Sequence, residues 1–306
     1  MTFSRRDLLL GSLGASTVAL GLSGAGTLAP SLARAATPTA TSWMRAIDGH
    51  RSLASLTIPG THDTCALNYT PFVRCQSYGP RDQLKMGVRF FDLRPADEPD
   101  MPIHHGPVYV DNTMVNVLNG CRSFLKEHPS ETVLVLIKQE HTTSSAADFG
   151  ARWRRTTKPF NDILLTPEKL PTLAEARGKV VVITRAGGVP GVPYSSAVVS
   201  DKYEVTSRDN ARDVKWPIVR SALNKADSWD SSRSKLHITF CSGNGTPRPW
   251  ADPGDINEVI EPLLRDWLTK RTARSGERLG VVLVDFAKKA KIEQIAARNF
   301  GRNTWA

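Results

Sequence analysis

Six short runs rich in β-favouring apolar residues recur along the chain: "LASLTIPG" (53–60), "GVRFFDLRPA" (87–96), "TVLVLIKQE" (132–140), "KVVVITRAG" (179–187), "KLHITFCSG" (235–243) and "RLGVVLVDF" (278–286). Several are continuously apolar, as strands must be when both faces of a parallel sheet are covered. Helical patterns lie between them. "NVLNGCRSFLKEHPSE" sets Val117, Leu118, Cys121, Phe124 and Leu125 on one face before Pro129 stops it. "DPGDINEVIEPLLRDWLTK" begins acidic and ends basic, as a helix dipole prefers. Strand-then-helix order with right-handed crossovers implies an α/β fold, as a barrel or a doubly wound sheet. No repeat or low-complexity linker divides the chain after its first 35 residues, so one domain is expected over 36–306.

Polar residues cluster where these runs end. His62 and Asp63 follow the first; Asp92 and Arg94 close the second; Lys138 and Glu140 the third; Arg185 the fourth; Asp285 the last. Any one of them reads as a charge reaching solvent. Five strand ends behaving alike point to a shared polar pocket, since barrel enzymes build their sites at the carboxyl ends of the strands.

Residues 1–35 read differently. An Arg5–Arg6 pair, an apolar stretch diluted by Gly, Ser and Thr, and a terminal Ala33-Arg34-Ala35 predict a twin-arginine-type export signal peptide rather than a retained anchor, and hence a secreted protein. Without that leader the formal net charge falls from +10 to about +8. A basic exported protein favours anionic partners. No dense basic run with interleaved aromatics suggests nucleic acid, and "KKAK" (288–291) reads as a solvated helix face. Cys65, Cys75, Cys121 and Cys241 permit disulfides in an oxidising compartment, with Cys65–Cys75 the favoured local pair.

Among seven histidines, His62 and the pair His104–His105 in "PIHHGPVY" stand out as acid–base candidates, because imidazole titrates near neutrality and a carboxylate can fix its tautomer. Side chains of adjacent residues in extended chain point to opposite faces, so one of His104 and His105 faces the pocket. His50, His128, His141 and His237 read as structural or solvated. There is no HExxH, no calcium-loop pattern and no CxxC, and Arg94 and Lys138 put positive charge where a cation would; no metal or other cofactor is implied. No GxSxG elbow is present, and "AGGVPG" (186–191) lacks a phosphate loop's Lys and reads as a flexible turn. Two histidines, carboxylate partners and an arginine clamp suit phosphodiester cleavage by an adjacent hydroxyl.

These residues stand in a pattern. In order, "LTIPGTHD", "GVRFFDLR", "IHHGPVY", "FLKEHPSETVLVLIKQE", "ARGKVVVITR", "DKY" and "VVLVDF" resemble bacterial phosphatidylinositol-specific phospholipase C, metal-independent branch, from about Trp43 to Phe286. "HPSET" departs from the family in carrying His128 where Asn is usual. The resemblance implies a single irregular TIM-type (β/α) barrel with parallel strands. It implies cleavage of phosphatidylinositol, and often of glycosyl-phosphatidylinositol anchors, to diacylglycerol and inositol 1,2-cyclic phosphate. By motif, His62 resembles the general base and Asp285 its carboxylate partner. His105 resembles the general acid, Asp63 the carboxylate coupled to it, and Arg94 the phosphate-binding arginine. Lys138, Arg185 and Asp201 look like groups that hold inositol hydroxyls, with Tyr203 stacked on the ring. A monomer touching membrane surfaces peripherally is implied, with Trp250 as a candidate interfacial aromatic. The rivals are a metal-dependent phosphodiesterase on a similar barrel and a non-catalytic inositol-lipid binding module.

Overall fold

The computed structural model describes residues 38–67, 70–228, 234–245, 251–274 and 276–303. The predicted leader and Trp250 lie outside the described residues. Residues 36–306 cluster as one unit. No helix among the described residues is long and apolar enough to cross a membrane.

Eleven strands form: β1 (Thr57–Thr61), β2 (Phe90–Leu93), β3 (Pro102–His105), β4 (Val108–Thr113), β5 (Val133–Ile137), β6 (Leu164–Leu165), β7 (Val180–Thr184), β8 (Val192–Pro193), β9 (Val198–Ser200), β10 (His237–Phe240) and β11 (Gly280–Val284). All but β3 and β4 belong to one curled sheet in the order β6-β7-β5-β2-β1-β11-β10-β9, with β8 also on β7. Every pair in that sheet is parallel. No ladder joins β9 back to β7 among the described residues, so the barrel is irregular and open at one seam. The six apolar runs of the sequence contain β1, β2, β5, β7, β10 and β11, the long strands of the sheet.

The continuous apolar character of these strands follows from a two-residue alternation between two cores. Leu134, Leu136, Val181, Ile183, Ile238, Phe240, Val281 and Leu283 fill the barrel interior with Ile58 and Phe90. Their strand neighbours Phe91, Val133, Val135, Val180, Val182, Val282 and Val284 face the helices. The interior is tight at Gly60, where a Cβ would meet Phe90 Cβ at 2.9 Å and Leu283 Cδ2 at 3.0 Å.

The surrounding helices are α1 (Pro80–Met86), α2 (Met114–Glu127), α3 (Ala146–Thr157), α4 (Leu173–Ala176), α5 (Arg208–Asn210), α6 (Trp216–Ala226), α7 (Pro253–Lys270) and α8 (Lys289–Ala297), with a π turn at Ala211–Lys215 joining α5 to α6. In α2 the five residues expected on one face are all buried, Thr113 caps the start, and His128 is the C-cap before Pro129. α7 carries Pro262 internally, which removes one backbone donor without ending the helix.

Three expectations are corrected. All four cysteines are free and buried, so no Cys65–Cys75 bridge forms; both thiols pack into the outer core instead. The "AGGVPG" turn is packed rather than loose: a Cβ on Gly188 would meet Ala146 O at 1.9 Å, and φ there is +78°. In "KKAK", Lys288 and Lys289 are solvated, but Lys291 is buried and donates to Asp285 O (3.0 Å) and Asn257 Oδ1 (3.2 Å).

Candidate active site

Strand alternation decides what the barrel mouth contains. Ile58 and Phe90 point inward, and two-residue steps lead from them to His62, and to Asp92 and Arg94. The same parity continues Leu136 to Lys138 and Glu140, Ile183 to Arg185, Phe240 to Ser242, and Leu283 to Asp285. The interior face of the sheet thus becomes polar just past its last apolar layer. A cavity of about 410 Å³ opens there. His62, Arg94, His105, Lys138 and Arg185 line one part of it, and Asp201, Tyr203, Ser242 and Asn244 another.

His62 Nδ1 lies 2.9 Å from Asp285 Oδ1. With that carboxylate as acceptor, the Nδ1 proton donates and the Nε2 lone pair is left free. Burial depresses the His62 pKa, but the charge and hydrogen bond of Asp285, with Asp63 behind them, outweigh burial and leave it raised. His105 comes from the β3–β4 hairpin. Its Nδ1 donates to Val73 O at 2.8 Å, so Nε2 is the nitrogen turned towards Asp63, 3.5 Å away.

Asp63 Oδ2 sits between the two rings, also 3.5 Å from His62 Nε2 and 2.8 Å from Arg94 Nη1. Despite those neighbours it is buried with no well-formed hydrogen bond, as is Asp285 Oδ2. Asp63 has φ +40° and Phe286, next to Asp285, +47°; both non-glycine residues hold left-handed backbone beside the site's carboxylates. The expected separation of the two histidine–carboxylate pairs therefore takes a modified form: His62 bonds Asp285, whereas Asp63 is shared by both rings and the guanidinium.

Arg94 is held by three carboxylates. Nη2 is 3.0 Å from Asp92 Oδ2, Nη1 2.8 Å from Asp63 and 3.6 Å from Glu140. Burial opposes its charge, yet Asp63, Asp92 and Glu140 together raise its pKa well above the usual arginine value. Glu140 also accepts Gly106 N–H at 2.7 Å and pairs with Lys138 Nζ at 2.5 Å. A divalent cation fits this carboxylate cluster poorly, because the guanidinium already occupies the point on which the three acids converge.

All nine residues singled out from sequence lie in or around this mouth, though they differ in setting. Asp63 and Asp285 are buried beneath it, and Tyr203, 60% exposed, stands at its outer edge. The Arg185 guanidinium carbon lies 5.3 Å from the Tyr194 ring centre, a partner that sequence reasoning did not name. Burial, then nearby Asp201, pushes the Tyr194 phenol up to about 12. Gln76 was missed as well: fully buried, it donates to His62 O (2.8 Å) and Val284 O (3.0 Å) and accepts from Ala287 N, tying the ends of β1 and β11 together. Buried Lys215 donates to Lys202 O at 2.8 Å beneath the Asp201–Tyr203 segment. Neither Gln76 nor Lys215 lies at an inward-facing strand end or in a motif singled out from the sequence.

Known proteins share this arrangement of chain. Residues 50–186 match the family model described as phosphatidylinositol-specific phospholipase C, X domain. That span includes His62, Asp63, Arg94, His105, Lys138 and Arg185. A 1-phosphatidylinositol phosphodiesterase of Listeria monocytogenes is 27% identical over 277 residues, covering 84% of this chain and 84% of that protein. One from Staphylococcus aureus (strain Newman) is 23% identical over 281 residues, covering 80% and 88%. Among solved structures, the phosphatidylinositol-specific phospholipase C of Listeria monocytogenes superposes with a TM-score of 0.74 at 24% identity, covering 85% of this chain and 99% of that one. The S. aureus enzyme, from work on its membrane binding, gives 0.72 at 23%, covering 85% and 98%.

Proposed function

We propose that this chain, a member of the phosphatidylinositol-specific phospholipase C family, cleaves phosphatidylinositol to diacylglycerol and inositol 1,2-cyclic phosphate by acid–base catalysis without a metal. The observation that carries this is the pair of imidazoles on one cavity, each with its Nε2 within 3.5 Å of Asp63 and one backed by Asp285 at 2.9 Å. Pure binding needs neither a base nor an acid.

His62 Nε2 takes the proton of the inositol 2-hydroxyl, and Asp285 stabilises the imidazolium that results. The 2-oxygen attacks phosphorus and closes the cyclic diester. As the bond to the diacylglycerol oxygen breaks, His105 delivers a proton from Nε2, with the Val73 carbonyl and Asp63 fixing the orientation of its ring. Arg94 supplies directional donors to the phosphoryl oxygens as charge grows on them. Lys138, Arg185 and Asp201 serve the inositol hydroxyls, and Tyr203 packs on the ring. Exposed Phe72, beside Val73, and Tyr203 provide aromatic surface near the mouth for peripheral contact with a lipid surface. Export by the residue 1–35 leader, a monomeric state and action on glycosyl-phosphatidylinositol anchors belong to the same proposal.

Phosphorus NMR of the product formed from phosphatidylinositol with chelator present tests the reading. A cyclic phosphodiester signal is expected. Loss of turnover with chelator would point to a metal-dependent phosphodiesterase, and absence of turnover in any buffer to a binding module. His62→Ala and His105→Ala should each lower turnover by ~10²–10⁴-fold; a near-normal rate in either overturns its assigned role.

A further inference from the structure

His104 and His141 have no part in that chemistry, yet the fold brings them together. Their imidazoles stack with centroids 4.2 Å apart and planes 5° apart. Glu98 Oε1 lies 3.9 Å from His141 Nε2, and one ligand atom from each of the three residues falls within 4.8 Å of the others. The three arrive from separate segments: Glu98 after β2, His104 from β3, His141 after β5. His141, expected to be structural or solvated, is thus the partner of His104, the member of the His104–His105 pair that does not line the catalytic cavity.

His104 is 5% exposed and its Nδ1 has no hydrogen-bond partner. With its proton on Nε2 the neutral ring would carry its lone pair on that unpartnered Nδ1, the form a metal-ligating histidine takes. Burial, then the neighbouring His141, lowers the His104 pKa and so favours the neutral form. An unmet buried acceptor costs free energy. So does left-handed backbone at His141, whose φ is +65°.

We propose that Glu98, His104 and His141 form a binding site for a divalent transition-metal ion of the zinc class, separate from the catalytic cavity. Two imidazoles and one carboxylate suit Zn²⁺, which binds such donors at about 2.0–2.2 Å and takes water in a fourth position. The donors must draw closer around the ion, and the His141 ring must turn out of the stack, because a ligated metal lies in the plane of each imidazole. His141 and Glu98, with side chains 38% and 46% exposed, are free to swing while buried His104 stays fixed. The bound ion would fasten the hairpin that carries His105 to the strand end that carries Lys138 and Glu140. It would stiffen the hairpin without touching the reacting atoms, so turnover is expected to persist with chelator present.

The catalytic groups offer three competing clusters, His62 with Cys75 and Asp285, Asp63 with Cys75 and His105, and His62 with Asp63 and Asp92, each within 4.8 Å. Calorimetry with Zn²⁺ and absorption spectroscopy with Co²⁺ on metal-free protein separate the proposed site from them. One equivalent is expected, with the intense visible bands of low-coordinate Co²⁺. His141→Ala and Glu98→Gln should each weaken Zn²⁺ binding by about tenfold or more, whereas Cys75→Ala should leave it unchanged. Zn²⁺ should also raise the melting temperature of the wild type and not of His141→Ala. Binding lost in Cys75→Ala but kept in His141→Ala, or no saturable binding at all, overturns the proposal. Both key substitutions are at exposed side chains, so a folding defect does not obscure the result.

Discussion

Arg89 and Arg94 flank the same four-residue strand, β2, and both are shielded from solvent, but their surroundings are opposite in kind. At the amino end, Arg89 meets one carboxylate, Glu131 Oε2, through Nε (3.0 Å) and Nη2 (2.9 Å). Its other donors go to the carbonyls of Leu84, Val88, Ala40 and Thr41. Glu131 in turn accepts from Met44 N, Arg45 N and Ser130 Oγ. At the carboxyl end, Arg94 is surrounded by three carboxylates, leaves Asp63 Oδ2 without a well-formed bond, and faces a cavity. Burial lowers the Arg89 pKa beyond what Glu131 restores, whereas the three acids carry Arg94 the other way. A closed network holds the structure; one with unmet acceptors and an open side is ready for a ligand.

The comparison breaks first at Arg89. Arg89→Met leaves Glu131 buried and charged, and should cost about 3–5 kcal/mol in urea unfolding. Arg89→Met with Glu131→Leu should recover most of that loss, because removing both charges also removes their desolvation cost. If the single substitution is tolerated, the closed network is not the anchor of this end. Arg94→Lys should do the reverse. Turnover on phosphatidylinositol should fall by ~10²–10³-fold, since a point charge cannot match the planar fork, while the unfolding midpoint stays close to wild type. A large stability loss there would make Arg94 structural after all.

The same contrast shows what was legible in the sequence. Strand identity was plain because burial on both faces forces unbroken apolar runs, and the polar ends of those runs led to the mouth. The two-residue alternation then places His62, Arg94, Lys138, Arg185 and Asp285 on one face. Asp92 and Glu140 obey the same parity and were visible as strand-end charges, yet their job of holding Arg94 emerges only in three dimensions. Three contacts gave no local signal. The Gln76 clasp joins residues about two hundred positions apart. Tyr194 reaches Arg185 from a short turn between two edge strands, and His141 meets His104 across separate segments. The cysteines misled because an oxidising compartment, expected from the leader, would permit bridges, while the fold uses all four as buried apolar packing.

The smallest expected effect comes from protonation, and it sharpens the contrast further. His62 has a folded-state pKa above its ordinary value near 6.5, with burial opposing and Asp285 and Asp63 prevailing. The proposed base must be neutral to take a proton, so the acidic limb of the pH profile of kcat/KM should lie above 6.5. Its effect on stability runs in the opposite direction. A histidine whose pKa is raised by folding stabilises the folded state fully below the unfolded value, and that contribution is lost as pH rises through the folded value. The unfolding free energy of the wild type minus that of His62→Ala should therefore decline as pH rises above about 6.5, by about 1.4 kcal/mol for every tenfold by which folding tightens the imidazole's hold on its proton. A flat difference at His62 would mean that Asp285 orients the imidazole without stabilising its charge, and the carboxyl end of the barrel would then resemble the amino end more than its open geometry suggests.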